Sequence, residues 1–169
     1  MRTLLFNSIF QKTKTEKAPQ ASPEALEELG KRFDKKVQER LGRSLAIRAV
    51  DAGSCNGCEL EIHALENAIY DISRFGIRFV ASPRHADVLL VTGPVTLNMK
   101  TALERTFAAT PHPKWVVAVG DCACNGCVFK SSYACASSVD AVLDVDLHIP
   151  DCPPNPQTML EGLFALMTA

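Results

Sequence analysis

From Leu45 onward the chain alternates short apolar runs with stretches long enough for helices, and few folds tolerate that rhythm. The runs are Leu45–Val50, Ile77–Ala81, Val88–Thr92, Trp115–Val119 and Asp146–Ile149. Each is too short for a helix, and several are rich in Val and Ile at consecutive positions, as expected of strands covered on both faces. Glu59–Phe75 and Leu97–Ala109 are long enough for helices, with Gly76 fitting the stop of the first. Strands separated by helices imply a parallel sheet wrapped on both sides and joined by right-handed crossovers.

The expected class is therefore α/β, a flavodoxin-like three-layer sandwich with a parallel sheet, preceded by an N-terminal helical extension. Two segments follow: a basic extension over residues 1–44 and an α/β domain over 45–169. Gln11 to Ser22 is polar and linker-like. Ser22 then suits an N-cap and Pro23 the first helical position; Leu26, Leu29, Phe33, Val37 and Leu41 mark one face, and Gly42 suits the stop. Pro23–Leu41 is read as an amphipathic helix outside the main core; it packs against its own domain or, as the alternative, docks together with Leu4–Phe10 on a partner subunit or a membrane face.

Charge is divided unevenly: residues 1–44 hold ten Lys and Arg against six Asp and Glu, and residues 45–169 hold eight against thirteen. A basic leader on an acidic body does not fit a nucleic-acid-binding domain, whose whole surface would be basic. No run of about 18 apolar residues is present to span a bilayer as a helix. The N-terminus lacks a small-residue cleavage site after its short apolar stretch, so a cytoplasmic protein with reduced thiols is expected.

In such a compartment seven cysteines, an odd number, point to metal rather than to disulfides. Function in open α/β sheets collects at the carboxyl ends of the strands. Cys55 and Cys58 follow the first predicted strand, Cys122, Cys124 and Cys127 the fourth, and Cys152 the last, so all but Cys135 fall on one edge. The two-residue gap between Cys55 and Cys58 lets one turn aim two thiolates at one centre. Cys152-Pro153 resembles the Cys-Pro ending of iron–sulfur ligation. Dispersed loops suit a cluster better than zinc, whose ligands usually come as two local pairs; a structural zinc site and inert buried thiols stay open on spacing alone.

Four motifs carry a family resemblance: Asp-Ala-Gly-Ser-Cys-Asn-Gly-Cys-Glu-Leu-Glu-Ile at 51–62, Ser-Pro-Arg-His-Ala-Asp-Val-Leu-Leu-Val-Thr-Gly-Pro-Val-Thr at 82–96, Gly-Asp-Cys at 120–122 and Ile-Pro-Asp-Cys-Pro-Pro-Asn-Pro at 149–156. Together they resemble the small, cluster-bearing subunit of group 4 membrane-bound nickel-iron hydrogenases (formate hydrogenlyase, energy-converting and CO-induced types), which is homologous to the corresponding cluster-bearing subunit of respiratory complex I. The resemblance spans about Ala46 to Leu166. It implies one 4Fe-4S cluster on Cys55, Cys58, Cys122 and Cys152, an electron-transfer role next to a nickel-iron centre located only in the hydrogenase large subunit, and no activity of this chain alone. It also implies a ferredoxin-like iron–sulfur partner, membrane subunits, and a peripheral place on the cytoplasmic side of the cell membrane. The alternative within the class is the equivalent subunit in a complex I-like quinone or sulfur reductase. The complex I branch has adjacent cysteines where this chain has Cys55-Asn-Gly-Cys58.

The sequence departs from the family at Asn125-Gly126-Cys127, where relatives usually show a glycine pair, and Cys124 adds a further thiol. Cys124 and Cys127 are read as spare thiols, or alternatively as a substitute ligand or a redox-sensitive pair; Cys135 is read as a core residue. Glu61 matches an acidic position shared with complex I and is preferred to Glu59 as a proton relay or partner contact. His63 is read as a surface or interface residue, and Arg84 and His85 as groups that contact the partner or tune the cluster. No Gly-x-Gly-x-x-Gly or Walker sequence is present, so nucleotide binding is not expected.

Overall fold

The computed structural model describes residues 23–168. Helix α1 (Pro23–Leu41) leads into β1 (Leu45–Asp51) and α2 (Gly57–Ala64), followed by β2 (Ile77–Phe79), β3 (Val88–Thr92) and α3 (Leu97–Ala109). β4 (Trp115–Val119), the short α4 (Asp121–Asn125), β5 (Leu147–Ile149) and α5 (Pro156–Thr168) complete the chain. The five strands form one sheet in the order β2-β1-β3-β4-β5, and every neighbouring pair is parallel. This is the expected α/β architecture.

β3 is the middle strand and is buried at all five positions. Alternate residues serve opposite cores because successive side chains leave opposite faces of a strand. Val88 and Leu90 join Phe33 and Val37 of α1, Ile62 of α2, and Met159 and Leu163 of α5 on one face. Leu89 and Val91 join Leu103 of α3, Ala123 of α4 and Val139 on the other. Each such fully buried aliphatic contributes about 1.5–3 kcal/mol.

Helix α1 does not lie outside the core. Phe33 and Val37 are fully buried against the sheet, and a Cβ on Gly30 would stand 2.2 Å from the Phe75 ring. Arg40 closes the contact, donating to the Leu166 and Met167 carbonyls at 3.1 and 3.3 Å. Those carbonyls end α5 without helical partners, so a cation there suits both the open acceptors and the helix dipole. Gly42 ends α1 at φ +65°, the left-handed conformation glycine adopts without cost. The Leu4–Phe10 segment and the Ser22 cap lie outside the described residues.

The expected single helix over Glu59–Phe75 is broken. Asn67 Oδ1 accepts from the Ile69 and Tyr70 N–H groups at 2.8 and 3.0 Å, taking that backbone out of the helix after Ala64. A 3₁₀ turn, Ile72–Phe75, then delivers Ile72 and Phe75 to the core, with Gly76 ending it at φ +72°. β2 stops at Phe79 rather than Ala81, and β5 begins at Leu147 rather than Asp146.

Candidate metal centre

The carboxyl ends of β1, β3, β4 and β5 open onto one edge, and each loop is held by its own local chemistry. After β1, Asp51 Oδ1 accepts from the N–H groups of Gly53 and Ser54, both at 2.7 Å. Asn56 then sits at φ +71° and starts α2, leaving Cys55 in the loop and Cys58 in the first helical turn. The loops after β1 and β3 meet backbone to backbone: a Cβ on Gly93 would stand 2.6 Å from the Ser54 nitrogen. After β4 and β5, Asp121 N–H donates to the Asp151 carbonyl at 2.9 Å, and Asp151 N–H returns a bond to Asp121 Oδ1 at 3.0 Å. That reciprocal pair clamps the residues preceding Cys122 and Cys152.

The result gathers Cys55, Cys58, Cys122 and Cys152 round one cavity, with Gly57, Pro94, Phe129 and Pro153 among the other residues of its wall. Glycine leaves room for sulfur at Gly120, where a Cβ would stand 2.5 Å from Cys58 Sγ, whereas one on Gly57 would meet Cys55 Sγ at an ordinary 3.5 Å. Asp151, directly before Cys152, occupies φ +113°, a conformation costing an L-residue about 1–3 kcal/mol.

The thiols feel one another. Burial pushes Cys58 up to about 12, with the charges of Glu59, Cys152, Cys55 and Cys122 adding to it. Burial likewise pushes Cys122 up to about 11, helped by Cys127, Cys152 and Cys55. Four thiolates this close repel, and a cationic centre reverses the balance by deprotonating what it binds. Among the described residues no three His, Cys, Asp or Glu converge as ligands of a single ion. A lone zinc needs thiolates about 2.3 Å from one point; the cysteines here surround a space instead. An all-cysteine donor set spread round a glycine-relieved cavity fits an iron–sulfur cluster.

The remaining thiols separate by environment. Cys124 turns inward, its Sγ 3.5 Å from the Ala118 carbonyl, packed against the second core and pushed up to about 11 chiefly by burial. Cys127 is exposed, sits at φ +43° and donates its N–H to Asn125 Oδ1 at 2.8 Å. Cys124 thus faces the core and Cys127 the surface. Cys135 is not a core residue: it is half-buried and its backbone bridges Thr96, in the loop after β3.

A second cavity of about 380 Å³ lies beside α2, lined by Arg48, Glu59, His63 and Thr92 among others. Thr92 Oγ1 donates to Glu59 Oε1. Glu59 Oε2 and Arg48 Nε are shielded from solvent without a hydrogen-bond partner among the described residues. Glu61 is half-buried and lines neither this cavity nor the cysteine cavity. His63 is exposed at the rim. Arg84 and His85 line a separate concavity with Arg43 and Arg78 and do not reach the cysteines. Loop residue Phe129 was not singled out from the sequence; its place between Cys127 and Lys130 is set by turns that carry no periodic signal.

The family described as NADH ubiquinone oxidoreductase, 20 Kd subunit, matches residues 55–166, all four cavity cysteines included. The chain belongs to that family. It is 43% identical over 136 residues to the probable membrane-bound hydrogenase subunit mbhJ of Pyrococcus furiosus, covering 79% of this chain and 81% of the relative. Formate hydrogenlyase subunit 7 of Escherichia coli is 42% identical over 128 residues, covering 76% of this chain and 50% of that subunit. Among solved structures, a chain of the membrane-bound sulfane sulfur reductase, an archaeal respiratory membrane complex, superposes with a TM-score of 0.67 at 34% identity, covering 80% of this chain and 73% of its own. Complex I-type family membership brings an iron–sulfur cluster with it, in accord with the cysteine cavity.

Proposed function

We propose that Cys55, Cys58, Cys122 and Cys152 hold one 4Fe-4S cluster, and that this chain relays electrons between a ferredoxin-like iron–sulfur subunit and the nickel-iron site of a hydrogenase large subunit. The chain is an electron-transfer subunit of a membrane-bound oxidoreductase complex. The convergence of four cysteines from three separate loops on one cavity carries the ligand assignment. When bound, such a cluster supplies reversible one-electron storage.

The chain's own residues do the rest. Gly120 leaves space for the Cys58 sulfur, and the Asp121–Asp151 clamp fixes the spacing of two ligand loops. Exposed Leu97, Val128, Phe129 and Tyr133 lie on loops or helix ends of the same edge, an apolar surface suited to a covering subunit. No helix among the described residues is long and apolar enough to cross a membrane. In this reading, partner subunits hold the chain at the cytoplasmic side. Of the two carboxylates on α2, Glu59 rather than Glu61 faces a cavity in which a partner's polar group finds unpaired atoms. The superposition on a sulfane sulfur reductase chain favours a sulfur-reducing complex as the second reading.

Anaerobic purification followed by metal analysis and electron paramagnetic resonance tests the cluster. Iron and acid-labile sulfide in equal amounts, about four of each per chain, are expected. Serine at any of the four positions should lower both. Zinc without sulfide overturns the assignment. The partner large subunit decides the branch: two pairs of nickel-binding cysteines are expected there, and their absence moves the assignment to the sulfur- or quinone-reducing relatives.

A further inference from the structure

We infer that the concavity lined by Arg43, Arg78, Arg84 and His85 is a docking surface for an acidic segment of a second subunit, away from the cysteine cavity.

A missing layer creates it. β2 ends at Phe79 and β3 begins at Val88, with β1 between them in the sheet. A parallel crossover usually takes a dozen or more residues and carries a helix that covers the sheet. Residues 80–87 are too few for that, and Pro83–His85 forms only a 3₁₀ turn. Successive side chains of a strand leave opposite faces. Ile77 and Phe79 serve the first core, so Arg78 emerges on the other face. Among the described residues, the second core on that face takes no side chain from β2. What remains uncovered is a concavity of about 390 Å³, at which Arg78, Arg84 and His85 are exposed.

Positive charge is in surplus there. Arg43 pairs with both Asp87 carboxylate oxygens, at 2.8 and 2.6 Å. Asp87 is buried and also accepts from the Ala46 N–H at 3.0 Å. Arg78 and Arg84 form no salt bridge among the described residues, and no carboxylate lines the concavity. Two unpaired guanidinium groups thus stand together on a body, residues 45–169, in which Asp and Glu outnumber Lys and Arg by thirteen to eight.

A guanidinium fork matches a carboxylate bidentately. The chain's own first 22 residues do not supply that chemistry, with one Glu against four Lys and Arg. A bilayer surface fits less well than a protein segment: none of the exposed large apolar side chains lines this concavity to anchor it in lipid. Arg43, His85 and Pro111 precede β1, β3 and β4, whose carboxyl ends open on the cysteine edge. The concavity therefore lies towards the amino ends, and its occupant leaves the cysteine edge to the covering subunit.

The test uses the assembled complex. Arg84→Lys keeps the charge and supplies an amine, which carbodiimide treatment joins to a contacting carboxylate as an amide. Mass spectrometry should find position 84 linked to an Asp or Glu of another subunit. Absence of that link, in a complex whose other lysines do link, overturns the inference, as does a link only to a second copy of this chain. In a salt titration, Arg78→Gln with Arg84→Gln should leave about tenfold more chain free where the unsubstituted chain is mostly bound, as expected for two exposed ion pairs. Lys35→Gln with Lys36→Gln, the same charge change on α1 beside another concavity, should behave like the unsubstituted chain. Equal release of the two double variants overturns the inference. So does binding of the full chain to phosphatidylglycerol vesicles that Arg78→Gln with Arg84→Gln abolishes, which would assign the surface to lipid.

Discussion

Gly120 is the position where the site depends most directly on a missing atom. It lies between β4 and α4 at φ +86° and ψ 155°, a region populated almost only by glycine, where alanine costs about 1–3 kcal/mol. The added Cβ would also stand 2.5 Å from Cys58 Sγ and 3.5 Å from the Asp151 carbonyl oxygen. Overpacking of this kind costs about 1–3 kcal/mol more. Gly120→Ala should therefore lose about 2–6 kcal/mol of a domain's usual 5–15. Urea unfolding of the metal-free chain reads the loss, and iron content of the loaded chain reads the displacement of Cys58. Gly57→Ala is the matched control: its Cβ meets Cys55 Sγ at an ordinary 3.5 Å, and it begins α2. There the metal-free chain should be unchanged or gain up to about 1 kcal/mol from the better helix former. Stability of Gly120→Ala within about 0.5 kcal/mol of the unsubstituted chain, together with full iron, would refute the account of the edge.

Two further outcomes follow from the packing and the thiols. Phe33→Ala should cost about 3–5 kcal/mol in urea unfolding, because that ring is fully buried in the core beneath α1; a cost below about 1 kcal/mol would return α1 to the status of an appendage. In the metal-free chain Cys58 and Cys122 sit at about 12 and 11 against an ordinary 9.0, so the folded state holds protons that the unfolded state releases. Their contribution to stability is complete below pH 9 and lost as pH rises through about 11–12. The urea midpoint should fall between about pH 8 and pH 10.5, and Ser at both positions should flatten that slope.

Where both faces of a strand are buried, the sequence carries the structure plainly. Val88–Thr92 and Trp115–Val119 are strands over the expected residues, and Leu97–Ala109 is a helix over the expected residues. The edge was legible for the same reason: once a parallel sheet is in place, the residues after each strand share a side. Other features depend on single side chains. Ile62, Leu65 and Ile72 all reach one core and, with buried Phe75, imitate a continuous helix, but Asn67 Oδ1 diverts the backbone between them. The amphipathic pattern of α1 shows that a face is buried, not which core buries it. Helix α5 went unread because Cys-Pro-Pro-Asn-Pro looks like loop, although Asn155 Oδ1 caps it by accepting from Thr158 N–H at 2.9 Å. Spacing placed Cys122, Cys124 and Cys127 together; only the short helix and its left-handed exit sort them into cavity, core and rim.

Cys55 and Cys152 are exposed at the same edge that presents Leu97, Phe129 and Tyr133. A protein that covers those apolar side chains also shuts the mouth of the cysteine cavity. On the cluster assignment proposed above, iron and sulfide must enter while this edge is bare, before a covering subunit docks.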